Sequence, residues 1–207
     1  MPSGTNNAPI LLETIKIEDG VICNLQYHQH RCTQSRLALY GATDVLELKP
    51  HITPPPKGLY RCRILYAQSI HSIEYIPYRP KSVSSLKIIS SNIEYTHKYA
   101  NRDALNRLLS TAKGYDDILI EKDGFLTDTT IANIAFYDGK QWFTPKNPLL
   151  KGTMRQKLID EGFLHTKEIK TEKIKSYSQV ALINAMLGFK ILKNTRITDN
   201  KGRHYDY

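Results

Sequence analysis

Three Asp-Gly pairs, Asp19-Gly20, Asp123-Gly124 and Asp138-Gly139, each lie between branched apolar segments. Asp-Gly suits the positive-φ positions of a tight turn, and such turns join antiparallel strands whose alternating side chains bury one face. The first pair links strands over residues 10–17 and 21–23. The other two punctuate a run of strands over 116–122, 125–128, 131–137 and 140–144. Further strands are predicted at 59–67, 70–78 and 85–90, and then near 164–170, 179–184 and 189–193.

Helical spacing fills the gaps. Asn24 is placed to cap a helix on which Leu25, His28, Cys32, Ser35 and Leu39 share a face, with Gly41 as its stop. A short second helix is predicted across 43–49, ended by Pro54-Pro55-Pro56. Asn101 is predicted to cap a helix carrying Ala104, Leu105, Leu108, Leu109 and Ala112, which stops at Gly114; another short helix starts near Gly152. The pattern lapses around 91–97. The chain therefore reads as α+β with two domains, residues 1–92, with two helices on an antiparallel sheet, and residues 93–207, which are β-rich.

Bulk properties narrow the function classes. At 207 residues, 41% hydrophobic and 24% charged, the chain can bury a substantial core. No run approaches the roughly 20 apolar residues of a membrane span. The first nine residues are polar, without a signal core, so a cytoplasmic protein is expected. Cys23, Cys32 and Cys62 are odd in number and form no CxxC pair, which points away from a disulfide framework and from zinc. His28 and His30 diverge on a helix, so no metal site is predicted. The 29 basic against 20 acidic residues, net +9, ask for an anionic partner. They are spread along the chain with only a modest concentration at 146–175, and no nucleic-acid-binding motif accompanies them, so nucleic acid is not that partner.

Four segments carry candidate chemistry. They are Tyr27-His28-Gln29-His30-Arg31; Lys98-Tyr99-Ala100-Asn101-Arg102; Gly124-Phe125-Leu126-Thr127-Asp128 with Asn133; and Thr144-Pro145 with Leu150-Lys151-Gly152-Thr153-Met154-Arg155. Each alone has a plain structural reading. A lysine in a loop is usually solvated, and a Gly that opens a helix can simply permit a turn, although amides there can hold a phosphate. Asn184, after the apolar run Val180 to Ile183, reads on its own as a strand-end cap.

Their order and spacing resemble the class IV aminotransferases, the pyridoxal-phosphate enzymes of fold type IV, from about Leu12 to Leu192. Leu12-Glu13-Thr14 through Gly20 resembles the FET-x-R-x-x-x-G opening of that family, and His28 with Arg31 its H-x-x-R. Lys98, Asn101 and Arg102 match K-x-x-N-R of its lyase branch, and Asn184-Ala185-Met186-Leu187 is similar to N-A-L-M there. The resemblance implies a small N-terminal α/β sandwich and a C-terminal β-rich pseudobarrel with helices, the second carrying the lysine. It implies pyridoxal 5'-phosphate as cofactor, held by Lys98 through its aldehyde and by Arg31 through its phosphate. Asp128 would face the pyridine nitrogen, with Asn133 beside it, and Gly152, Thr153, Met154, Asn184, Ala185 and Met186 would lie in the phosphate loops and offer it backbone N–H groups. A homodimer and a small amino-acid-like or chorismate-derived substrate are implied as well. The lyase branch eliminates pyruvate from 4-amino-4-deoxychorismate to give 4-aminobenzoate; the family's other activity moves an amino group between an amino acid and a 2-oxo acid. Three differences bear on this. Asp128 stands where the family has glutamate, only eleven residues precede Leu12, and the connection between the strands near 60–67 and 70–78 is short.

Overall fold

The computed structural model describes residues 8–207. Contacts divide the chain into two compact units, one comprising residues up to Arg79 with His97–Asn101, the other Pro80–Thr96 with Arg102–Tyr207.

The first unit is a four-stranded antiparallel sheet in the order β2-β1-β3-β4, with one long helix. Strands β1 (Leu11–Glu18) and β2 (Val21–Ile22) are joined by Asp19-Gly20, both at positive φ, as the turn requires. Helix α1 (Leu25–Tyr40) follows, then β3 (Leu59–Tyr66) and β4 (Ile70–Pro77). Leu11, Ile15 and Ile17 of β1 pack with Cys62, Ile64 and Tyr66 of β3 and with Cys32 of α1. Gly41 ends α1 at φ 64, donating its N–H to the last turn. Asn24 occupies the N-cap, but at φ 53 its side chain makes no capping bond.

The helix predicted over 43–49 does not form; only a 3-10 turn at Lys49–His51 does. Side chains of α1 fix that stretch instead. Arg36 binds Asp44 through carbonyl and carboxylate, and Gln29 donates to the Leu46 carbonyl and accepts the Leu48 N–H. Backbone groups held from outside cannot close helical turns.

The second unit contains β5 (Ser85–Ser90), α2 (Asp103–Ser110), β6 (Asp117–Lys122), β7 (Phe125–Thr129), β8 (Asn133–Tyr137), β9 (Trp142–Pro145), α3 (Thr153–Asp160) and β10 (Leu164–Lys167). It continues with β11 (Gln179–Asn184), β12 (Gly188–Ile191), β13 (Arg196–Thr198) and β14 (His204–Asp206). The strands form one sheet, β10-β9-β8-β7-β6-β5-β13-β14, with β11 on β8 and β12 on β11. Strand β5, read from sequence as part of the first sheet, instead pairs in parallel with β6 and β13. That pairing draws residues 80–96 into the second unit and moves the division from 92/93 to 79/80. Helix α2 starts from Arg102, not Asn101. The core of this unit gathers Leu86, Ile88, Leu119, Leu126, Ile134, Phe136, Val180 and Leu182.

One junction brings two of the predicted site residues together. Strand β11 covers one edge of β8 from Asn133 to Tyr137, while the other edge is shared, Asn133 pairing with Asp128 of β7 and Phe136 and Tyr137 with β9. The chain thus places Asp128 and Asn133 directly opposite each other where two strands part.

Candidate active site

In the first unit a carboxylate stands on the apolar face of β1. Glu13 has the same parity as Leu11, Ile15 and Ile17 and is fully buried. It accepts Arg31 Nε at 2.8 Å on Oε1, and Arg31 Nη2 at 2.5 Å and His28 Nδ1 at 2.6 Å on Oε2. His28 and Arg31 are neighbours one turn apart on α1, so a single helix face brings both to the strand. Burial pushes the Glu13 carboxyl upward, but the Arg31 charge and the hydrogen bonds from His28 and Arg31 outweigh it and hold it at about 2. Burial keeps the imidazole of His28 below its ordinary value despite Glu13. An ionised carboxylate only accepts, so Nδ1 of the neutral ring carries the proton.

Lys98 belongs to this unit, not to the β-rich one assigned to it from sequence. Strand β2 pairs only with the far end of β1, and residues 98–100 take the edge it leaves open. Leu12 N–H donates to the Lys98 carbonyl at 2.8 Å, Ala100 N–H donates to the Ile10 carbonyl at 2.8 Å, and Tyr99 bridges Leu11. The Lys98 backbone is thereby pinned, with its residue half-buried.

In the second unit Asp128 is fully shielded. Asn133 Nδ2 donates to Asp128 Oδ1 at 2.8 Å and to the Leu150 carbonyl at 2.8 Å, while Leu150 N–H donates to Asp128 Oδ2 at 2.8 Å. The pair grips both backbone groups of Leu150 and sets the approach to α3. Burial raises the Asp128 carboxyl to about 6, against the Leu150 N–H, the Asn133 amide and the Arg155 charge. Gly152 follows at φ −68, a conformation open to any residue. Glycine is needed there for space, since an added Cβ would lie 2.1 Å from Asn133 Oδ1. Asp128, Asn133 and Gly152 therefore form one interlocked group.

The other predicted residues have mixed fates. Thr153 opens α3 and is buried, with Met154 half-buried beside it. Asn184 Oδ1 accepts the N–H groups of Met186 and Leu187 at 3.0 and 2.8 Å, and its amide donates to the Ile131 carbonyl at 3.1 Å. Asn184 thus caps the β11–β12 hairpin and engages the Met186 amide that sequence had offered to a phosphate. Ala185 lies in the same turn, half-buried. Arg155 is buried and donates Nη2 to the Pro145 carbonyl at 2.9 Å, and Arg102 Nη2 donates to the Thr130 carbonyl at 2.6 Å. Glu13 was missed as a site residue; the signal was its parity with three apolar neighbours on an alternating strand.

In the first unit a guanidinium held by a buried carboxylate and a lysine pinned by its backbone have the chemistry to hold a phosphate and an aldehyde, and in the second a buried carboxylate has the chemistry to face a basic ring nitrogen. Residues 11–193 match the family described as amino-transferase class IV. The chain belongs to the class IV aminotransferases, a family of pyridoxal-phosphate enzymes. It is 39% identical over 184 residues to an uncharacterized protein of Haemophilus influenzae, covering 86% of this chain and 98% of that one. A crystal structure from Haemophilus somnus 129pt, provisionally named a 4-amino-4-deoxychorismate lyase, is 36% identical with a TM-score of 0.81, covering 87% of this chain and 97% of that one. A hypothetical aminotransferase from Mycobacterium tuberculosis, in its PLP-bound form, shares the fold at 16% identity and TM-score 0.71, covering 98% and 85%. No helix among the described residues is long and apolar enough to cross a membrane, and no metal-binding group of acidic, His or Cys residues occurs among them.

Proposed function

We propose that this chain is a lyase that eliminates pyruvate from 4-amino-4-deoxychorismate and leaves 4-aminobenzoate. The observation that carries the reading is the 36% identity to the Haemophilus somnus protein over 97% of its length. The Lys98, Asn101 and Arg102 pattern supports it.

Bound pyridoxal phosphate supplies an electron sink that makes the carbon bearing the substrate amine acidic. Lys98 would hold the cofactor aldehyde and, when free, would take the proton from that carbon. The C–O bond on the adjacent ring carbon would then break, enolpyruvate would leave and take up a proton to become pyruvate, and the six-membered ring would become aromatic, so no amino acceptor is consumed. Arg31 holds the phosphate, assisted by amides near Gly152, Thr153 and Met154 and by the loop at Asn184 and Ala185. Asp128 keeps the ring nitrogen protonated, and Asn133 acts through Asp128 by fixing its carboxylate. In this reading the protein is a cytoplasmic homodimer.

The test is pyruvate release from 4-amino-4-deoxychorismate in the presence of pyridoxal phosphate and without any 2-oxo acid. Stoichiometric pyruvate and 4-aminobenzoate are predicted. Amino transfer that requires a 2-oxo acid, with no pyruvate from 4-amino-4-deoxychorismate, would establish the transaminase activity instead.

A further inference from the structure

The Leu12-Glu13-Thr14 motif has no task in the reading above, yet Glu13 is the most deeply buried charge of the first unit. Carrying a carboxylate into an apolar sheet face is costly, and a buried ion pair seldom adds stability over an apolar replacement. Leu11, Ile15 and Ile17 show what that replacement would be. The geometry instead gives Arg31 a fixed direction. Two of its nitrogens, Nε and Nη2, are forked onto Glu13, which sets the plane of the guanidinium. His28 buttresses Oε2 from the same helix face while remaining neutral, so the cluster holds one anion and one cation. One residue earlier, Leu12 N–H fixes the backbone of Lys98.

We propose that Glu13 is a positioning residue that presents the Arg31 guanidinium to the cofactor phosphate, so that β1 sets the direction of Arg31 through one residue and the backbone of Lys98 through the next. The inference rests on the assignment of Arg31 to the phosphate made above. An arginine fixed in advance loses little side-chain freedom on binding, and that entropy is the gain that Glu13 delivers.

The test compares pyridoxal phosphate with pyridoxal, which has the same aldehyde and ring but no phosphate. Each is titrated into cofactor-free protein by absorbance, for wild type and for the variants E13Q, E13D and R31M, with far-UV circular dichroism confirming the fold. In E13Q an amide donor faces the guanidinium, so pyridoxal phosphate is expected to bind roughly 10- to 100-fold more weakly. Pyridoxal is expected to stay within about threefold of wild type. E13D keeps the charge on a shorter arm and is expected to recover part of the loss. Adding E13Q to R31M should weaken pyridoxal phosphate no further.

A folded E13Q with the wild-type ratio of the two affinities, alongside an R31M that has lost it, would overturn the positioning role and leave the Arg31 assignment standing. Equal weakening of both ligands in E13Q would also overturn it, as general damage to the unit. An R31M that keeps the wild-type ratio would instead remove Arg31 from the phosphate. If E13Q does not fold, E13D decides by the same ratio.

Discussion

Replacing Gly152 by alanine tests the interlocked group of the second unit. The added Cβ would stand 2.1 Å from Asn133 Oδ1, about 1.3 Å inside ordinary van der Waals contact. The backbone there has φ −68 and ψ 143, which alanine accepts, so any cost comes from the collision alone. Asn133 can yield only by giving up its bonds to Asp128 and Leu150, both at 2.8 Å. Two buried hydrogen bonds, one of them to a carboxylate, at ~1–3 kcal/mol each give a cost of roughly 2–6 kcal/mol. That is a large part of the ~5–15 kcal/mol of a typical fold. Urea unfolding of cofactor-free G152A, N133A and G152A/N133A measures it. With Asn133 truncated the collision partner is gone, so Gly152→Ala should then cost under ~1 kcal/mol. A single variant near wild-type stability, or the same loss in both backgrounds, would refute the reasoning.

Asp128 sets a pH dependence. Its folded value of about 6 lies above the ordinary 3.8, because burial favours the neutral acid. The stability it contributes is therefore complete below about 4 and is lost as pH rises through 6, up to roughly 3 kcal/mol. Carbon NMR of the side-chain carboxyl should find it titrating near 6 without cofactor and lower once a pyridine nitrogen supplies a cation; titration at or below 4 in the cofactor-free protein would contradict this. Burial pushes the Cys32 thiol up to about 12 and the Cys62 thiol to about 11, so neither is a thiolate at neutral pH. A thiol reagent should label Cys23 in the native protein and all three cysteines in denaturant; rapid native labelling of Cys32 would mean that the sheet opens. Asn184→Ala removes the acceptor for two loop amides and should cost ~1–2 kcal/mol, read from thermal unfolding.

Local chemistry made much of this legible in the sequence. The Asp-Gly turns, the Gly41 stop and the alternation of the strands act within a few residues, and the strands form where that spacing predicts. The helix over 43–49 failed because Arg36 and Gln29, distant in sequence, bind its backbone. Strand β5 found parallel partners in β6 and β13, a choice that no hairpin signal encodes. The short strands β13 and β14 gave too few residues for a period. At the site, Asp128 and Asn133 were legible as a motif, but the purpose of Gly152, room for Asn133, appears only when the chain is folded. Conversely, Asn184 was legible as a cap, and its capping of the hairpin engages an amide that the motif reading had given to a phosphate.

Lys98 is the residue on which the proposed chemistry turns. Protein loaded with pyridoxal phosphate should show a visible absorption band that borohydride abolishes, and peptide mass mapping of the reduced protein should find the pyridoxyl group on Lys98. The K98A variant should show neither. A reduced adduct on another lysine, or a protein that takes up no pyridoxal phosphate, would contradict the account.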